Sequence, residues 1–256
     1  MSAGGGPGPA ALSSPNTHPI INHMSADIYA IGDIHGRLEL LERLLEELQP
    51  DLARDRLVFI GDYIDRGPQP QKVVDYLIRL KATAPPEQVI CLKGNHEAMF
   101  LDFLEGLEVA LFLFNGGLAT IEDYWGPDWE KEERLVLPPD HERFYRELLL
   151  YYETPDYVFV HGGIRPGLPL AEQTEDDLLW IRGEFIVSME DFGRKVIFGH
   201  TPFQRPLVMP NKIGIDTGAV YGNLLTCLKL PQEDFILVGQ EGRVRRVPAA
   251  AAVSPE

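Results

Sequence analysis

The strongest constraint on the fold is a pattern that occurs three times between residues 28 and 97: a short apolar run, then glycine, then a cluster of polar residues. The three polar clusters are Gly32–Gly36, Gly61–Gly67 and Gly94–Glu97. Such a run is typical of a buried strand that opens into a tight, charged loop. Ligands of open α/β sheets bind at the carboxyl edge of the strands, so we expect the three loops to converge on one site.

The segments between and after these strands also have regular patterns. Leucines recur at spacings of three and four from Leu38 to Leu48, and the apolar positions from Val73 to Leu80 predict a second helix. Alternation of strand and helix indicates an α/β fold, with parallel strands joined by right-handed crossovers. The alternating runs Leu224–Leu230 and Phe235–Val238 predict antiparallel strands of a second sheet, and Glu175 to about Phe185 predicts a short helix.

Length and composition predict one catalytic domain, because a 256-residue chain with 45% hydrophobic residues can bury a large core. We assign this domain to residues 25–247. Residues 1–24 are rich in Gly, Pro, Ala and Ser and are expected to form a disordered extension, and residues 248–256 a flexible tail. The helical but irregular segment 98–150 has two open interpretations, a lid over the cleft and extra helical packing.

Charge and cysteine content exclude several classes of partner. The chain carries 23 Lys and Arg against 39 Asp and Glu, a formal net charge of −16, so no nucleic-acid partner is expected. No apolar run approaches the roughly 18 residues of a membrane span, so no membrane partner is expected either. Cys91 and Cys227 form no CxxC or zinc-like pattern, which predicts a reduced, cytoplasmic setting with Cys91 in the core. The sequence leaves the oligomeric state open.

Polar side chains with metal-binding atoms follow five apolar runs, always beside glycine. They are Asp33, His35, Asp62, Asn95, His161 and His200. Taken singly, each could be a helix cap or a structural histidine, but together their oxygens and imidazoles suit manganese, iron or zinc better than calcium or magnesium. Two ions that share a carboxylate lie about 3.5–4 Å apart, and they lower the pKa of a bridging water so that hydroxide becomes the nucleophile near neutral pH. We expect two divalent ions, with manganese favoured.

The three repeated clusters resemble the signature motifs of the phosphoprotein phosphatase branch of the metallophosphoesterases. His161 in His-Gly-Gly and His200 in Gly-His-Thr resemble the two later histidine positions of that family, and the resemblance spans about residues 27–230. It implies a β-sandwich of two mixed sheets flanked by helices. It also implies that one metal is held by Asp33, His35 and Asp62, and a second by Asp62, Asn95, His161 and His200, with Asp62 as the bridge.

The same resemblance implies the residues that complete the chemistry. His96 matches the proton donor to the leaving oxygen, and Asp65 matches the acid that pairs with it. A carboxylate hydrogen-bonded to one imidazole nitrogen orients the ring and favours imidazolium, which is the form that a general acid needs. His96 is therefore expected both to donate the proton and to contact the substrate phosphate.

Arginines are expected to hold the phosphate. Arg66 matches the phosphate-binding arginine of the second motif, and its planar fork can bind two phosphate oxygens. For a second arginine, Arg182 in Leu-Trp-Ile-Arg is favoured over Arg165, which follows His161 by four residues. Asn95 is expected at the same phosphate. Tyr221 is expected to pack between strands rather than to line the cleft.

The leading hypothesis is a bacterial-type protein phosphatase that acts on phosphoserine or phosphothreonine in a phosphorylated protein or peptide. The alternative is a symmetrical dinucleoside tetraphosphatase, a class that shares most of the ligands. Members of that class typically depart from Asp-Arg-Gly in the second motif and carry aspartate after Gly-Asn-His, so Asp65 and Glu97 favour the protein phosphatase. A third hypothesis, a metal-binding regulatory protein without activity, would usually lack the acid or the arginine, whereas His96, Asp65 and Arg66 are all present.

Overall fold

Two sheets pack face to face in the computed structural model, which describes Met1 and residues 26–249. The strands are β1 (Ile28–Ile31), β2 (Arg56–Phe59), β3 (Val89–Cys91), β4 (Tyr151–Glu153), β5 (Tyr157–Val160), β6 (Lys195–Phe198), β7 (Leu207–Val208), β8 (Lys212–Gly214), β9 (Leu225–Leu230), β10 (Asp234–Val238) and β11 (Val244–Pro248). The predicted α/β sandwich of two mixed sheets is confirmed. The predicted extension, apart from Met1, and residues 250–256 lie outside the described residues.

The helices cover the outer faces and edges of the sheets. They are α1 (Leu38–Leu48), α2 (Pro70–Thr83), α3 (Asn95–Leu104), α4 (Val109–Phe114), α5 (Leu118–Trp125), α6 (Pro139–Arg146), α7 (Glu175–Trp180) and α8 (Gly183–Val187). The two helices predicted between the first three strands are confirmed, whereas the single helix predicted near residue 180 is two short helices that break at Ile181 and Arg182. None of the helices in the described part is long and apolar enough to cross a bilayer.

The position of β1 in the middle of its sheet corrects one prediction. The first sheet has the order β11–β10–β9–β1–β2–β3, and β1 pairs parallel with β2 and antiparallel with β9. The strands predicted at residues 224–230 and 235–238 are antiparallel, as expected, but they belong to the first sheet rather than the second. Alternation of apolar residues fixes which face of a strand is buried, whereas it does not fix which free sheet edge the strand pairs with.

The second sheet brings two more strand ends to the same side. Its order is β4–β5–β6–β8–β7, and β5, β6 and β8 are parallel. Between the sheets lies a core of fully buried side chains that includes Ala30, Val58, Phe159, Ile197 and Phe235. This core joins the two sheets rigidly, so the loops that follow β1, β2, β3, β5 and β6 have fixed relative positions.

The segment 98–150 packs as helices beside the first sheet. Phe100, Phe112 and Tyr145 are fully buried there, and the ring of Phe100 contacts both of the others. Extra helical packing is therefore present in this segment. Cys91, at the end of β3, lies in the same apolar cluster and is 2% exposed, as predicted.

The end of the described chain is more ordered than expected. Pro248, predicted as the first residue of a tail, pairs with Asp234 as the last residue of β11. Ala249 is buried against the core between the sheets. Composition does not reveal that these two residues are ordered, because proline and alanine occur at the end of a strand as readily as in a flexible tail.

A buried lysine caps the C-terminal end of α8. Lys212, on β8, is fully buried, and its ammonium donates hydrogen bonds to the carbonyl oxygens of Phe185 and Ser188 (2.7 Å for Ser188). The last carbonyls of a helix have no partner within the helix, so a positive donor at this position satisfies them.

We expect Lys212→Met to lower the free energy of unfolding by about 2–3 kcal/mol, because the buried carbonyls lose their donor. Urea denaturation measures the change. Lys195→Met is the matched control on the neighbouring strand, since Lys195 forms a partly exposed ion pair with Glu233 and should cost less than about 1 kcal/mol. Equal losses in the two variants would contradict the role given to Lys212.

Candidate metal centre

Five strand ends deliver the predicted metal-binding side chains to one place. The loop after β1 carries Asp33 and His35, the loop after β2 carries Asp62, α3 begins at Asn95 after β3, His161 follows β5, and His200 follows β6. All six side chains are buried, with exposed fractions of 4% or less. The parallel pairing of these strands within each sheet explains the convergence, because parallel strands end at the same edge.

Asp62 lies at the centre of the cluster. Its Oδ2 is 3.5 Å from Nε2 of His35, and its Oδ1 is 3.4 Å from Nε2 of His161. Two groups of ligand atoms, each within 4.8 Å of one another, share this carboxylate: His35, Asp62 and His96 form the first, and Asp62, His161 and His200 the second. A carboxylate common to two groups is the arrangement that a pair of bridged ions requires.

The histidine rings are held so that one nitrogen faces the cluster. Nδ1 of His35 is 2.7 Å from the carbonyl oxygen of Ile64, and Nδ1 of His161 is 3.0 Å from that of Ile60. These nitrogens donate to the carbonyls, so that Nε2 of each ring carries the lone pair. Burial lowers the pKa of His35 to about 3 and also lowers the pKa of His161. Both rings are therefore neutral at physiological pH, the form that binds a metal.

Asn95 places an amide oxygen between two imidazoles. Its Oδ1 is 3.0 Å from Nε2 of His161 and 2.8 Å from Nδ1 of His200. Two nitrogens and one carbonyl oxygen thus point at a common region beside Asp62. This mixed set of nitrogen and oxygen donors suits a transition metal or zinc.

Asp33 carries a buried oxygen that no protein group satisfies. Its Oδ2 accepts a hydrogen bond from the backbone N–H of His200 (3.0 Å), but its Oδ1 has no partner. Burial, then the carboxylates of Asp216 and Asp62, hold the pKa of Asp33 well above its usual range. A buried, unsatisfied carboxylate oxygen beside two other carboxylates is costly unless a cation is bound. The residues present therefore fit a divalent metal.

Asp216 belongs to the surroundings of the site, although the sequence did not single it out as a site residue. It is 6% exposed, and its Oδ1 accepts the backbone N–H of Gly218 at 2.9 Å. Burial raises the pKa of Asp216 to about 6. It follows strand β8 in the second sheet, so the signal that found the other carboxylates, a polar residue after an apolar strand, was also present here.

The backbone of the site is held in a conformation that side chains disfavour. Five residues have positive φ angles between 45° and 69°: His35, Asp62, Asp65, Arg66 and His200. Left-handed backbone at non-glycine residues costs free energy and persists only where the surrounding structure imposes it. Gly94 is also required, because a Cβ atom there would collide with Oδ1 of Asp62.

Glu97 fixes two of the loops to each other. Its carboxylate accepts hydrogen bonds from the backbone N–H groups of Asp62 (2.9 Å), Tyr63 (2.8 Å) and Gly94 (2.9 Å). Burial raises the pKa of Glu97 to about 8. In the sequence, Glu97 indicates only the substrate class, whereas in the structure its carboxylate positions the loops that carry Asp62 and Asn95.

His96 faces the same cluster and is held by Asp65. Nδ1 of His96 is 2.5 Å from Oδ2 of Asp65. Burial favours the neutral ring, but the carboxylates of Asp62 and Asp65 outweigh it, and the pKa of His96 is raised. The geometry is that of a general acid: an imidazole oriented by a carboxylate, with Nε2 directed towards the cluster at 3.9 Å from Oδ2 of Asp62.

Thr120, on α5, holds Asp65 in turn. Its hydroxyl donates to Oδ1 of Asp65 and accepts the backbone N–H of Asp65 at 2.9 Å, and Thr120 is fully buried. This contact of segment 98–150 with the site was not predicted from the sequence. A lone threonine within a helical period carries no local signal, and the contact depends on how α5 packs against a loop 55 residues away.

Arg66 lies at the mouth of the site. Its Nη1 is 2.9 Å from Nε2 of His35, and its Nε donates to the carbonyl of Asn115 at 3.2 Å. Tyr221 faces its guanidinium at 5.7 Å from the ring centre and is 64% exposed. The expectation that Tyr221 packs between strands is wrong, because the turn of Ala219–Tyr221 carries the ring outwards to the rim.

The two candidates for a second arginine have different surroundings. Arg165 is engaged by carboxylates, with Nε 2.6 Å from Asp177 and Nη1 2.9 Å from Glu184. Arg182 is exposed and forms no ion pair among the described residues. After burial, the charges of His161 and Arg182 lower the pKa of His200, so Arg182 lies within electrostatic range of the cluster. This geometry supports the preference for Arg182.

Comparison with known proteins agrees with the geometry. Residues 26–239 match the family described as calcineurin-like phosphoesterase. The chain is 29% identical over 238 residues to the bis(5'-nucleosyl)-tetraphosphatase PrpE [asymmetrical] of Oceanobacillus iheyensis, covering 84% of this chain and 92% of that protein. It is 31% identical over 220 residues to serine/threonine-protein phosphatase 1 of Salmonella typhimurium, covering 79% and 91%. A crystal structure of a candidate diadenosine tetraphosphatase superposes with a TM-score of 0.67 at 26% identity, covering 86% and 96%.

We expect Asp62→Asn to weaken manganese binding by about 100-fold or more, because the carboxylate shared by both ligand groups loses its charge. Isothermal titration calorimetry with MnCl₂ measures the effect. Asp75→Asn is the matched control, since Asp75 also pairs with a histidine, His141, but lies on α2 outside both groups of candidate metal ligands. Unchanged manganese affinity and stoichiometry in Asp62→Asn would contradict the bridging role.

Proposed function

The chain belongs to the calcineurin-like phosphoesterase family, and we propose that it is a protein phosphatase that hydrolyses phosphoserine and phosphothreonine monoesters. The observation that most supports this choice of substrate is that His96, Asp65 and Thr120 form a buried, hydrogen-bonded set. The preference for phosphoserine and phosphothreonine follows from the leaving group that such an acid serves.

An alcohol is a poor leaving group. A serine or threonine side chain would have to depart as an alkoxide, whose conjugate acid has a pKa near that of water, about 15.7. A general acid that protonates the leaving oxygen contributes roughly 10²–10⁴-fold to such a reaction. When a nucleotide anhydride is cleaved, the departing phosphate has a pKa of about 6 and leaves without a proton. A carefully positioned acid such as His96 therefore favours an ester substrate.

The metal-binding role is assigned to the buried cluster. One ion would be held by Asp33, His35 and Asp62, and the other by Asp62, Asn95, His161 and His200. Two divalent ions, when bound, supply positive charge to the phosphoryl oxygens and activate water. Manganese is the favoured metal, with iron or zinc as the alternatives, because the donors mix carboxylate, amide oxygen and imidazole.

The remaining groups bind and orient the phosphate. Arg66 is exposed at the mouth, and its contact with the carbonyl of Asn115 restricts the guanidinium. From there it can offer two parallel hydrogen bonds to phosphate oxygens. Arg182 would contact the phosphate from the other side, while Asn95 and His96 complete the set from within. Both arginines are exposed, which suits a phosphorylated side chain presented by a protein.

A second candidate is a dinucleoside tetraphosphatase, because the relative from Oceanobacillus carries that name, in its asymmetrical form. The alternative expected from the sequence was the symmetrical form. Cleavage of an anhydride would make little use of the acid built around His96, so we place this activity second. A regulatory protein without activity is disfavoured because His96, Asp65 and Arg66 are all in position. A cytoplasmic location remains a prediction.

We expect a chelator to abolish hydrolysis of a phosphoserine peptide, and MnCl₂ to restore it, because the buried cluster needs cations for the reaction. Phosphate release is the measurement, with diadenosine tetraphosphate as the parallel substrate at equal concentration. The phosphopeptide should have the higher kcat/KM. A higher kcat/KM for the tetraphosphate would reverse the order of the two candidates, and activity indifferent to chelation would reject the metal assignment.

We expect Thr120→Val to lower kcat about tenfold on a phosphoserine peptide and less than about threefold on p-nitrophenyl phosphate, whose leaving group needs no proton. The valine cannot hold Asp65, so His96 is less well oriented. Thr120→Ser, which keeps the hydroxyl, should retain most of the activity. Steady-state kinetics on both substrates measures the difference, and an equal fall on both would indicate a structural defect rather than a positioning role.

A further inference from the structure

Apart from the metal centre, the described residues form a groove where the β10–β11 hairpin faces the loop before β7. The groove has a volume of about 270 Å³ and is lined by Arg205, Leu224, Phe235, Leu237, Arg245 and Val247, among others. A smaller groove of about 150 Å³ shares Leu224 and Arg245 with it and adds Arg243. The two grooves are therefore adjacent, and arginines lie along both.

These three arginines have no counter-charge in the part of the chain that the structure describes. No carboxylate there lies within ion-pair distance of Arg205, Arg243 or Arg245. Arg246, the neighbour of Arg245 on β11, is instead paired with Glu47 at 2.7 Å. Acidic residues outnumber basic ones by 39 to 23 in this chain, so carboxylates are plentiful. Unpaired cations around a concave surface attract an anion and repel one another without it.

The floor of the groove is apolar, but the groove as a whole is not. Leu224 and Val247, which are partly buried, form this floor over the almost fully buried Phe235 and Leu237. Gln204, Thr217 and Asn223 add polar groups to the arginines on the rim. Small-molecule sites begin at about 300 Å³, a size that this groove reaches only together with the smaller one beside it. An apolar floor with a polar and cationic rim matches a molecule that has an apolar body and phosphate groups.

We propose that these two adjoining grooves, the larger lined by Arg205 and Arg245 and the smaller by Arg243 and Arg245, form one second binding site, and that it takes a small organic phosphate such as a nucleotide. The phosphates would lie against the guanidinium groups, which bind phosphate oxygens in pairs, and the base would cover the apolar floor. None of the candidate metal-binding residues lines the groove. The inference therefore stands apart from the proposed phosphatase activity.

The test uses α,β-methylene-ADP, which carries a base and two phosphoryl groups joined by a methylene bridge that cannot be hydrolysed. Its binding to the manganese-loaded protein is measured by isothermal titration calorimetry. The double variant Arg205→Gln, Arg245→Gln should lose at least about tenfold in affinity, since two charged hydrogen-bonding groups are removed. Arg243→Gln alone should weaken binding by a smaller factor, and it serves if the double variant folds poorly.

Two controls separate this site from the metal centre. Arg246→Gln is the matched control, because Arg246 alternates with Arg245 on the same strand and already has a partner. Arg66→Gln removes the arginine at the catalytic mouth. Both should retain binding in the groove. Hydrolysis of p-nitrophenyl phosphate by the double variant should equal that of the wild type, which shows that a loss of binding is not a loss of folding or of the catalytic site.

Two smaller probes identify which part of the ligand is recognised. Inorganic pyrophosphate and adenosine should each bind more weakly than α,β-methylene-ADP, because each lacks one half of the match. The proposal would be overturned if the double variant bound α,β-methylene-ADP like the wild type, or if Arg66→Gln abolished all binding. Equal affinity for pyrophosphate would overturn the role given to the apolar floor.

Discussion

The rest of the structure depends on a carboxylate buried at the meeting point of five strand ends. Asp62 is 2% exposed, and among the described residues no lysine or arginine forms an ion pair with it. Its charged neighbour Arg66 donates to His35 instead. A buried carboxylate is costly without a counter-charge, and the imidazole whose pKa is raised beside it, His96, is 3.9 Å away and is also held by Asp65. The protein around Asp62 is therefore arranged for a charge that comes from outside the chain. The neutral histidines and the amide oxygen of Asn95 provide the lone pairs for it.

The cost of this arrangement is distributed over supporting groups. Glu97 ties the loop of Asp62 to the start of α3 through three backbone N–H groups, and Thr120 ties Asp65 to α5. Glu97 lies on α3 and Thr120 on α5, and both helices pack on the apolar core. The strained loops are therefore held by rigidly packed elements. Segment 98–150 thereby contributes to the site through a supporting hydroxyl rather than through a ligand.

Much of this could be predicted from the sequence, for reasons that are local. A polar residue after an apolar run, beside glycine, marks a strand end, and parallel strands bring such ends together, which accounts for Asp33, Asp62, Asn95 and His161. Sheet membership of β9 and β10 could not be predicted, since alternation does not select a partner edge. The contact of Thr120 with Asp65 could not be predicted either, because it forms only when α5 packs against the loop of Asp65. The outward position of Tyr221 depends on a single turn between β8 and β9, which composition does not specify.

The central place of β1 also governs the order in which the domain can be built. Ile28 is paired with Leu230, so the first strand of the described residues keeps one open edge until some two hundred later residues have been added. Contacts between residues so distant along a chain form slowly, because the entropy of closing a long loop is lost before the contacts contribute any stabilising free energy. β1 itself leads into the loop that carries Asp33 and His35. The six candidate metal-binding residues all precede β9 in the chain, yet the strand that places two of them has neighbours on both sides only once β9 is present.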